Sequence, residues 1–219
     1  PLELPSEITD AFGPSGFEDD VVAVARSYAP KGAEFAEDSL RNLYIRRPQD
    51  AGSTRPVVML DAHTDEVGFM VKAIRPNGLL QIVPLGGWAG STIPAHRVLI
   101  RSKTGAFCPG IVASKPPHYL SDAERNAAPS VQNMGIDVGA TSAKEVTERF
   151  QIGIGAPVIP DTVFEYNSDS GVMMGKAFDC RAGCACVLRV METLFEEPLE
   201  VAPVGALASQ EEVGLRGAR

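Results

Sequence analysis

The chain has 219 residues, of which 44% are apolar, a composition typical of a globular protein with a substantial core. Its formal net charge of -8 argues against nucleic acid as a partner, because phosphate binding requires a basic surface. No run approaches the roughly 18 apolar residues of a membrane span, so we expect no membrane partner. We also expect that Pro1 follows a removed initiator methionine and that no signal peptide precedes it.

Residues 6–29 predict a loop followed by a helix that begins at Ser15–Glu18, with Ser15 as its N-cap. A strand pair is expected over residues 34–45, and a basic surface loop over residues 46–55. The apolar run 57–62 then predicts a strand of the kind that is buried on both faces of an α/β sheet.

Residues 72–155 have a different character. Short strand-like runs, divided by glycine and proline, predict a small β-barrel or sandwich; they lie at residues 79–84, 97–101, 110–113 and 132–138. One helix interrupts them over residues 142–150, with Ser142 as its cap.

The α/β character returns at Ser170. Residues 171–178 and 200–209 predict strands, and residues 181–195 predict a helix between them. The apolar side of this helix is expected to carry Cys184, Leu188, Met191 and Phe195.

These elements predict a protein of the α/β class in which one domain is inserted into another. A three-layer α/β/α catalytic domain is expected over residues 1–71 and 170–219, and an all-β barrel domain over residues 72–169. Because an open α/β sheet needs helices on both faces, we expect residues beyond Arg219 to complete the catalytic domain.

The four cysteines do not form the disulfide framework of a secreted protein, which favours a reducing, cytoplasmic location. They are Cys108, Cys180, Cys184 and Cys186. The CxxxCxC spacing of the last three is not that of a zinc finger, so we interpret the thiols as small packing residues.

Ionisable side chains follow three of the predicted strands, at the point where each strand ends. In chain order they are His63, Asp65 and Glu66, then Asp179, then Glu211 and Glu212. Active sites of open α/β sheets lie beyond the carboxyl ends of the strands. Since polar groups are costly to bury unpaired, we expect these side chains to converge on one pocket.

Each of these positions also has an explanation that needs no site. A hydrogen-bonded loop pair would account for His63 and Asp65, and a helix N-cap for Asp179. Acidic residues that favour a helix N-terminus would account for Glu211 and Glu212. Three such coincidences at consecutive strand ends are less expected than one shared function.

Imidazole and carboxylate groups without a converging thiol are typical of a hydrolytic site that holds zinc, cobalt or manganese. A carboxylate such as Asp179 can bridge two metals about 3.5–4 Å apart, the arrangement used by aminopeptidases. Of two adjacent glutamates, one can bind metal while the other takes a proton from bound water.

Three segments in this order, AHTDEVGFMV, GKAFDCRAGC and ASQEEVGLRGA, resemble the dinuclear-metal aminopeptidase family that includes the glutamyl and deblocking aminopeptidases of the tetrahedral, TET type. Segments of the inserted domain, among them LGGWAGSTIPAHRV, are similar to that family's β domain. The resemblance implies a metalloprotease that releases N-terminal residues from peptides with a free N-terminus. It also implies a homo-oligomer in which dimers, joined through the β domain, build a dodecamer.

Site roles follow from the same resemblance. It implies two divalent metal ions, zinc or cobalt, with His63 as a ligand of one, Glu212 as a ligand of the other and Asp179 bridging both. Glu211 would be the general base for a metal-bridging water, and Asp65 would orient His63.

The chain departs from the family pattern in two ways. Cys180 stands where the family generally has Asp or Asn, and because that position is not a ligand we expect the thiol only to tune the site. The family's remaining ligands, an Asp and a His, lie further along, and neither His96 nor His118 is expected to replace them. Two alternatives therefore stay open, a carboxypeptidase or deacylase of the wider dinuclear-zinc group and a non-catalytic assembly or binding subunit of the same fold.

Overall fold

The computed structural model describes residues 2–127 and 129–219, without the side chains of residues 117, 124 and 125. The chain divides into two compact units, one of Pro1–Glu66 with Val163–Arg219 and one of Val67–Thr162. The first is an α/β unit and the second is a β-barrel, so the predicted fold class is confirmed. The assignment of catalysis to one unit and oligomerisation to the other stays a prediction.

In chain order, the elements belong first to the α/β unit, then to the barrel, and then to the α/β unit again. The first segment contains α1 (Glu3–Asp10), α2 (Asp19–Tyr28), β1 (Glu34–Glu37), β2 (Leu43–Arg46), a 3-10 helix (Pro48–Asp50) and β3 (Val57–His63). The barrel begins with β4 (Gly68–Ile74), β5 (Leu80–Leu85), β6 (Arg97–Arg101) and β7 (Phe107–Ala113). It continues with two 3-10 turns (Pro117–Tyr119 and Val131–Asn133), α3 (Asp122–Asn126), β8 (Gly135–Asp137), α4 (Ala143–Glu148) and β9 (Pro157–Pro160). The α/β unit then resumes with β10 (Glu165–Asn167), β11 (Val172–Met174), α5 (Phe178–Leu194) and β12 (Ala202–Ala208).

The sheet of the α/β unit has the strand order β1-β2-β12-β3. Strand β12 is parallel to β3, with Ala208 opposite His63, and antiparallel to β2. Because β3 and β12 are parallel neighbours in this register, the chain leaves both strands at the same edge of the sheet.

Helix α5 packs against β3 and β12, and helices α1 and α2 pack against α5. The apolar stripe predicted for α5 is confirmed, since Cys184, Leu188, Met191 and Phe195 are all buried. Around them the core is completed by Leu4, Ile8, Val21, Val22, Ala25, Leu43, Ile45 and Leu207. Gly205 of β12 leaves room for α5, because a Cβ there would lie 3.0 Å from Met191 Cγ.

The expectation that residues 57–62 are buried on both faces is wrong. Val57 and Met59 are 65% and 56% exposed, and Val58 is 43% exposed. The reason is topological, because β3 lies at the edge of the described sheet and pairs with β12 alone among the described strands.

Three further local predictions are corrected. Two helices, α1 and α2, replace the single helix, and Ser15 caps neither of them. The loop 46–55 is not wholly on the surface, because Arg47 is buried and donates to the backbone oxygens of Leu194 and Glu197. The strand expected at 171–178 is reduced to β11, which pairs with β10 in a separate hairpin outside the main sheet.

The second unit is a closed barrel with the strand order β4-β5-β8-β7-β6-β9. Alternate residues of its strands fill the interior, among them Phe69, Val71, Leu80, Ile82, Val98, Ile100, Val112, Ile136 and Val158. Ser142 caps α4 as predicted, since its hydroxyl accepts a hydrogen bond from the Glu145 N–H. None of the described helices combines the length and apolarity that a membrane crossing requires.

Candidate metal centre

Two of the three predicted strand ends meet at one edge of the sheet. His63 is the last residue of β3, and the adjacent β12 ends at Ala208, shortly before Glu211 and Glu212. The two strand ends are tied together, because the Thr64 N–H donates to the Ala208 carbonyl at 2.8 Å. The parallel pairing of β3 and β12 therefore brings the imidazole and the two glutamates into one site.

Asp65 is the centre of the hydrogen-bond network beneath this site. Its fully buried carboxylate accepts the backbone N–H groups of Glu211 at 2.9 Å and Glu212 at 3.0 Å and the Ser15 hydroxyl at 2.6 Å. Burial opposes its ionisation, but these hydrogen bonds and the contact with His63 hold the pKa of Asp65 below its usual range. The site therefore rests on an ionised carboxylate that is held from three separate parts of the chain.

The His63 ring lies between Asp65 on one side and two further carboxylates on the other. Its Nδ1 is 3.3 Å from Asp65 Oδ1, and its Nε2 is 3.1 Å from Asp179 Oδ1 and 3.7 Å from Glu211 Oε2. Burial alone would lower the pKa of His63, but the hydrogen bonds to Asp65 and Asp179 and the charge of Glu211 raise it to about 9. The three carboxylates around the ring therefore favour a positive charge at this position.

Asp179 reaches the site by a route that differs from the prediction. It does not follow a sheet strand but lies in the first turn of α5, where Asp179 and Cys180 have non-helical backbone angles and a cis peptide bond joins them. Its carboxylate contacts His63 Nε2, and no described hydrogen bond joins it to a backbone N–H of α5. The Asp179 side chain is 89% exposed, so its carboxylate is free to turn toward a ligand.

Glu211 and Glu212 do not begin a helix, because the described residues after them form turns. The Glu211 carbonyl accepts the N–H groups of Gly214 and Leu215 and closes the first of these turns. Partial burial raises the pKa of Glu212 in spite of nearby His63, and the carboxylates of Asp65, Glu211 and Asp179 add to the rise. The pair thus belongs to a crowded cluster of acids, which explains its position better than a helix dipole does.

The donor atoms form two groups that share His63. One group is His63, Asp179 and Cys180, the other is His63, Glu211 and Glu212, and within each group the atoms lie within 4.8 Å of one another. Imidazole, carboxylate and thiol groups at this spacing fit a divalent cation of the zinc type. The structure therefore brings together the predicted ligands His63, Asp179 and Glu212 and the predicted base Glu211, while the assignment of each one as ligand or base stays a prediction.

The expectation that no thiol converges on the site is wrong. Cys180 directly follows Asp179, and its sulfur is one of the clustered donors. No periodicity in the sequence marks it, because its placement depends on the non-helical first turn of α5. Sequence analysis also missed Glu18, whose carboxylate accepts the N–H groups of Gly16 and Gln210 and thereby fixes the approach to Glu211.

Glu66 has a structural role beside the site. Its buried Oε1 accepts from Lys176 Nζ at 2.8 Å and Arg181 Nη2 at 3.0 Å. Fully buried Arg181 also donates to the backbone oxygens of Thr64 and Gly13. This cluster joins the loop after β3 to the start of α5, so it holds His63 and Asp179 at a fixed separation.

Comparison with known proteins identifies the family of this chain. A family model described as M42 glutamyl aminopeptidase matches residues 42–219. The chain is 34% identical to the putative aminopeptidase FrvX of Escherichia coli K12 over 219 residues, which cover 100% of this chain and 59% of that relative. It is 31% identical to the glutamyl aminopeptidase of Lactococcus lactis subsp. cremoris, with 97% of this chain and 60% of the relative covered.

A solved structure is similar to this chain over almost its whole length. The TET aminopeptidase from the marine sediment archaeon Thaumarchaeota archaeon SCGC AB-539-E09 matches with a TM-score of 0.89 and 37% identity, covering 99% of this chain and 61% of that one. The chain thus spans about three fifths of the length of these relatives. Since the family model extends over most of the residues, the chain belongs to the M42 glutamyl aminopeptidase family.

Proposed function

We propose that the protein containing this chain is a metal-dependent aminopeptidase, with its catalytic centre at His63, Asp179, Glu211 and Glu212. The observation that carries the proposal is the position of His63 Nε2, which is 3.1 Å from Asp179 and 3.7 Å from Glu211 while Asp65 holds the far side of the ring. Membership of the M42 family supports a peptide bond as the target.

The cofactors we propose are two divalent cations, zinc or cobalt. His63 would hold one, Glu212 the other, and Asp179 both. When bound, such ions polarise a scissile carbonyl and acidify water. The exposed Asp179 carboxylate supports the bridging role, because it can adjust to two partners without disturbing packed neighbours.

The reaction then depends on groups that this chain supplies. Asp65 fixes the ring orientation of His63. Its carboxylate also accepts the N–H groups of Glu211 and Glu212 and so fixes the backbone that carries both glutamates. The Glu211 carboxylate takes the proton of the attacking water and returns it to the departing amine. The surplus of carboxylates at this edge attracts the ammonium group of a free peptide N-terminus, which favours removal of the first residue.

The proposal extends to the substrates, the assembly and the location of the protein. We propose peptides with a free N-terminus as substrates, a homo-oligomer built through the barrel unit, and a cytoplasmic location. Nucleic acid is not proposed as a partner, given the net charge of -8. The mass of the assembled protein in solution, measured by light scattering, tests the oligomer, and a monomer would contradict it.

The function is tested with aminoacyl anilides whose amino group is either free or acetylated. We expect cleavage of the free-amine substrates alone, loss of cleavage after chelation, and recovery on addition of zinc or cobalt. Preferential cleavage of the acetylated substrates would favour a deacylase instead. If the metal-loaded protein cleaves neither, the protein is a non-catalytic subunit of this fold.

A further inference from the structure

We propose that Cys180 is a sulfur ligand of the metal ion that His63 and Asp179 hold. This proposal rests on the proposed metal site and deepens it, because it concerns which cation the site selects. A sulfur donor would make one of the two positions softer than a site built only of imidazole and carboxylates.

The position of the thiol carries the inference. Cys180 is half-buried, and its sulfur lies with the donor atoms of His63 and Asp179 in one group that spans no more than 4.8 Å. The space for this sulfur is made by Gly183, one turn further along α5. A Cβ on Gly183 would lie 2.8 Å from the Cys180 sulfur and 3.0 Å from the Ala62 Cβ.

The other cysteines show that this placement is particular to Cys180. Cys184 is fully buried, and its thiol donates to the His63 carbonyl at 3.1 Å, so its sulfur is engaged with the backbone. Cys186 is exposed on the same helix, and Cys108 is buried in the barrel unit. Neither belongs to a described group of metal-binding donors. Cys186 therefore provides a matched control.

Sulfur ligation has a defined chemistry. The thiol releases its proton to solvent when the metal binds, and the bond that forms joins sulfur to the cation without oxidation or reduction. Zinc, cobalt and cadmium accept thiolate ligands readily, whereas manganese and magnesium prefer oxygen. We therefore expect this position to favour zinc or cadmium over manganese more strongly than an oxygen-only site would.

The first test uses zinc-loaded wild-type protein and X-ray absorption at the zinc edge. We expect a sulfur shell at about 2.3 Å in addition to nitrogen and oxygen at about 2.0–2.2 Å. The sulfur shell should persist in Cys186→Ser and disappear in Cys180→Ser. A spectrum of the wild-type protein without a sulfur shell overturns the proposal, whether or not the variants fold.

The second test uses cobalt(II), which gives an intense near-ultraviolet charge-transfer band only when a thiolate is bound. We expect this band in wild-type and Cys186→Ser protein, and its absence in Cys180→Asp, which keeps an oxygen donor. Cadmium affinity should fall in Cys180→Ser by more than the roughly 10- to 100-fold loss typical of removing an outer-shell partner. Manganese affinity should change much less.

The two proposals fail in different ways. If elemental analysis finds that neither zinc nor cobalt binds, the metal-dependent function itself is wrong. If the metals bind stoichiometrically but no sulfur shell and no charge-transfer band appear, the function stands and only the ligand role of Cys180 is lost.

Discussion

The carboxylate of Asp65 accepts the backbone N–H of Glu212 at 3.0 Å, so a buried side chain of the loop after β3 fixes the backbone that follows β12. The neighbouring N–H of Glu211 is bound by the other oxygen of the same carboxylate. The loop after β3 and the loop after β12, whose contact residues are 146 positions apart in sequence, are thereby held side by side. Such a contact fixes the site geometry before any ligand arrives.

Replacing Asp65 by Asn should destabilise the fold, because the amide group presents a donor to backbone donors and leaves one of them buried and unpaired. We expect a loss of about 2–4 kcal/mol in the free energy of unfolding, measured by urea denaturation of metal-free protein. Asp169→Asn, at an exposed position, serves as the control and should change stability by less than about 0.5 kcal/mol. Equal midpoints for the two variants would show that Asp65 does not hold the loops.

Glu211→Gln should fold, retain its metals and lose turnover. Glutamine keeps the size of the side chain but cannot take a proton, so we expect kcat to fall by about 10²- to 10⁴-fold. Metal content by elemental analysis should equal that of the wild type, and Glu200→Gln, at an exposed position, should keep full activity. Hydrolysis of aminoacyl anilides by Glu211→Gln at the parental rate would assign the base to another residue.

Asp179→Ala should lose both metals while the fold stays intact. The side chain is 89% exposed, and its partner His63 keeps Asp65 and Glu211 close to the ring, so its removal should shift the urea midpoint little. A bridging carboxylate, however, contributes to both ions at once. Retention of one metal would make Asp179 a terminal ligand, and retention of two would remove it from the metal site.

Much of the fold follows from local patterns. The stripe Cys184, Leu188 and Met191 has helical spacing, and it identifies the face of α5 that packs on the sheet. The apolar runs that end at His63 and before Glu211 identify two strands of that sheet. These features depend on neighbours in sequence, which is why they were predicted correctly.

The incorrect predictions concern the pairing of strands that are distant in sequence. The apolar run 57–62 does not state whether partners lie on one side of the strand or on both, and β3 pairs only with β12 among the described strands. Likewise β11 is apolar enough for the sheet but turns back onto β10, where the Asn167 side chain accepts the N–H groups of Asp169 and Ser170.

In the site, too, some residues could be predicted from the sequence and others only from the three-dimensional structure. The residue types and their order identified His63, Asp179, Glu211 and Glu212 as a cluster, and the structure brings them together. For Cys180 the resemblance implies only a tuning effect, because the family does not use that position as a ligand. Only the three-dimensional path of the first turn of α5 reveals that its sulfur faces the same donors.

Lys176 should make stability depend on pH in the alkaline range. Burial lowers its pKa to about 8 even though Glu66 and Asp10 attract the charge, and Arg181 adds to the lowering. Between about pH 8 and 10.5 the lysine is protonated in the unfolded chain and deprotonated in the folded chain. The free energy of unfolding therefore rises with pH over this range, by up to ~3 kcal/mol from this group. Lys176→Met should remove this rise, whereas Lys31→Met, at an exposed position, should keep it. Urea denaturation from pH 7.5 to 10 measures the difference, and parallel curves for wild type and Lys176→Met would show that the lysine is not a buried cation.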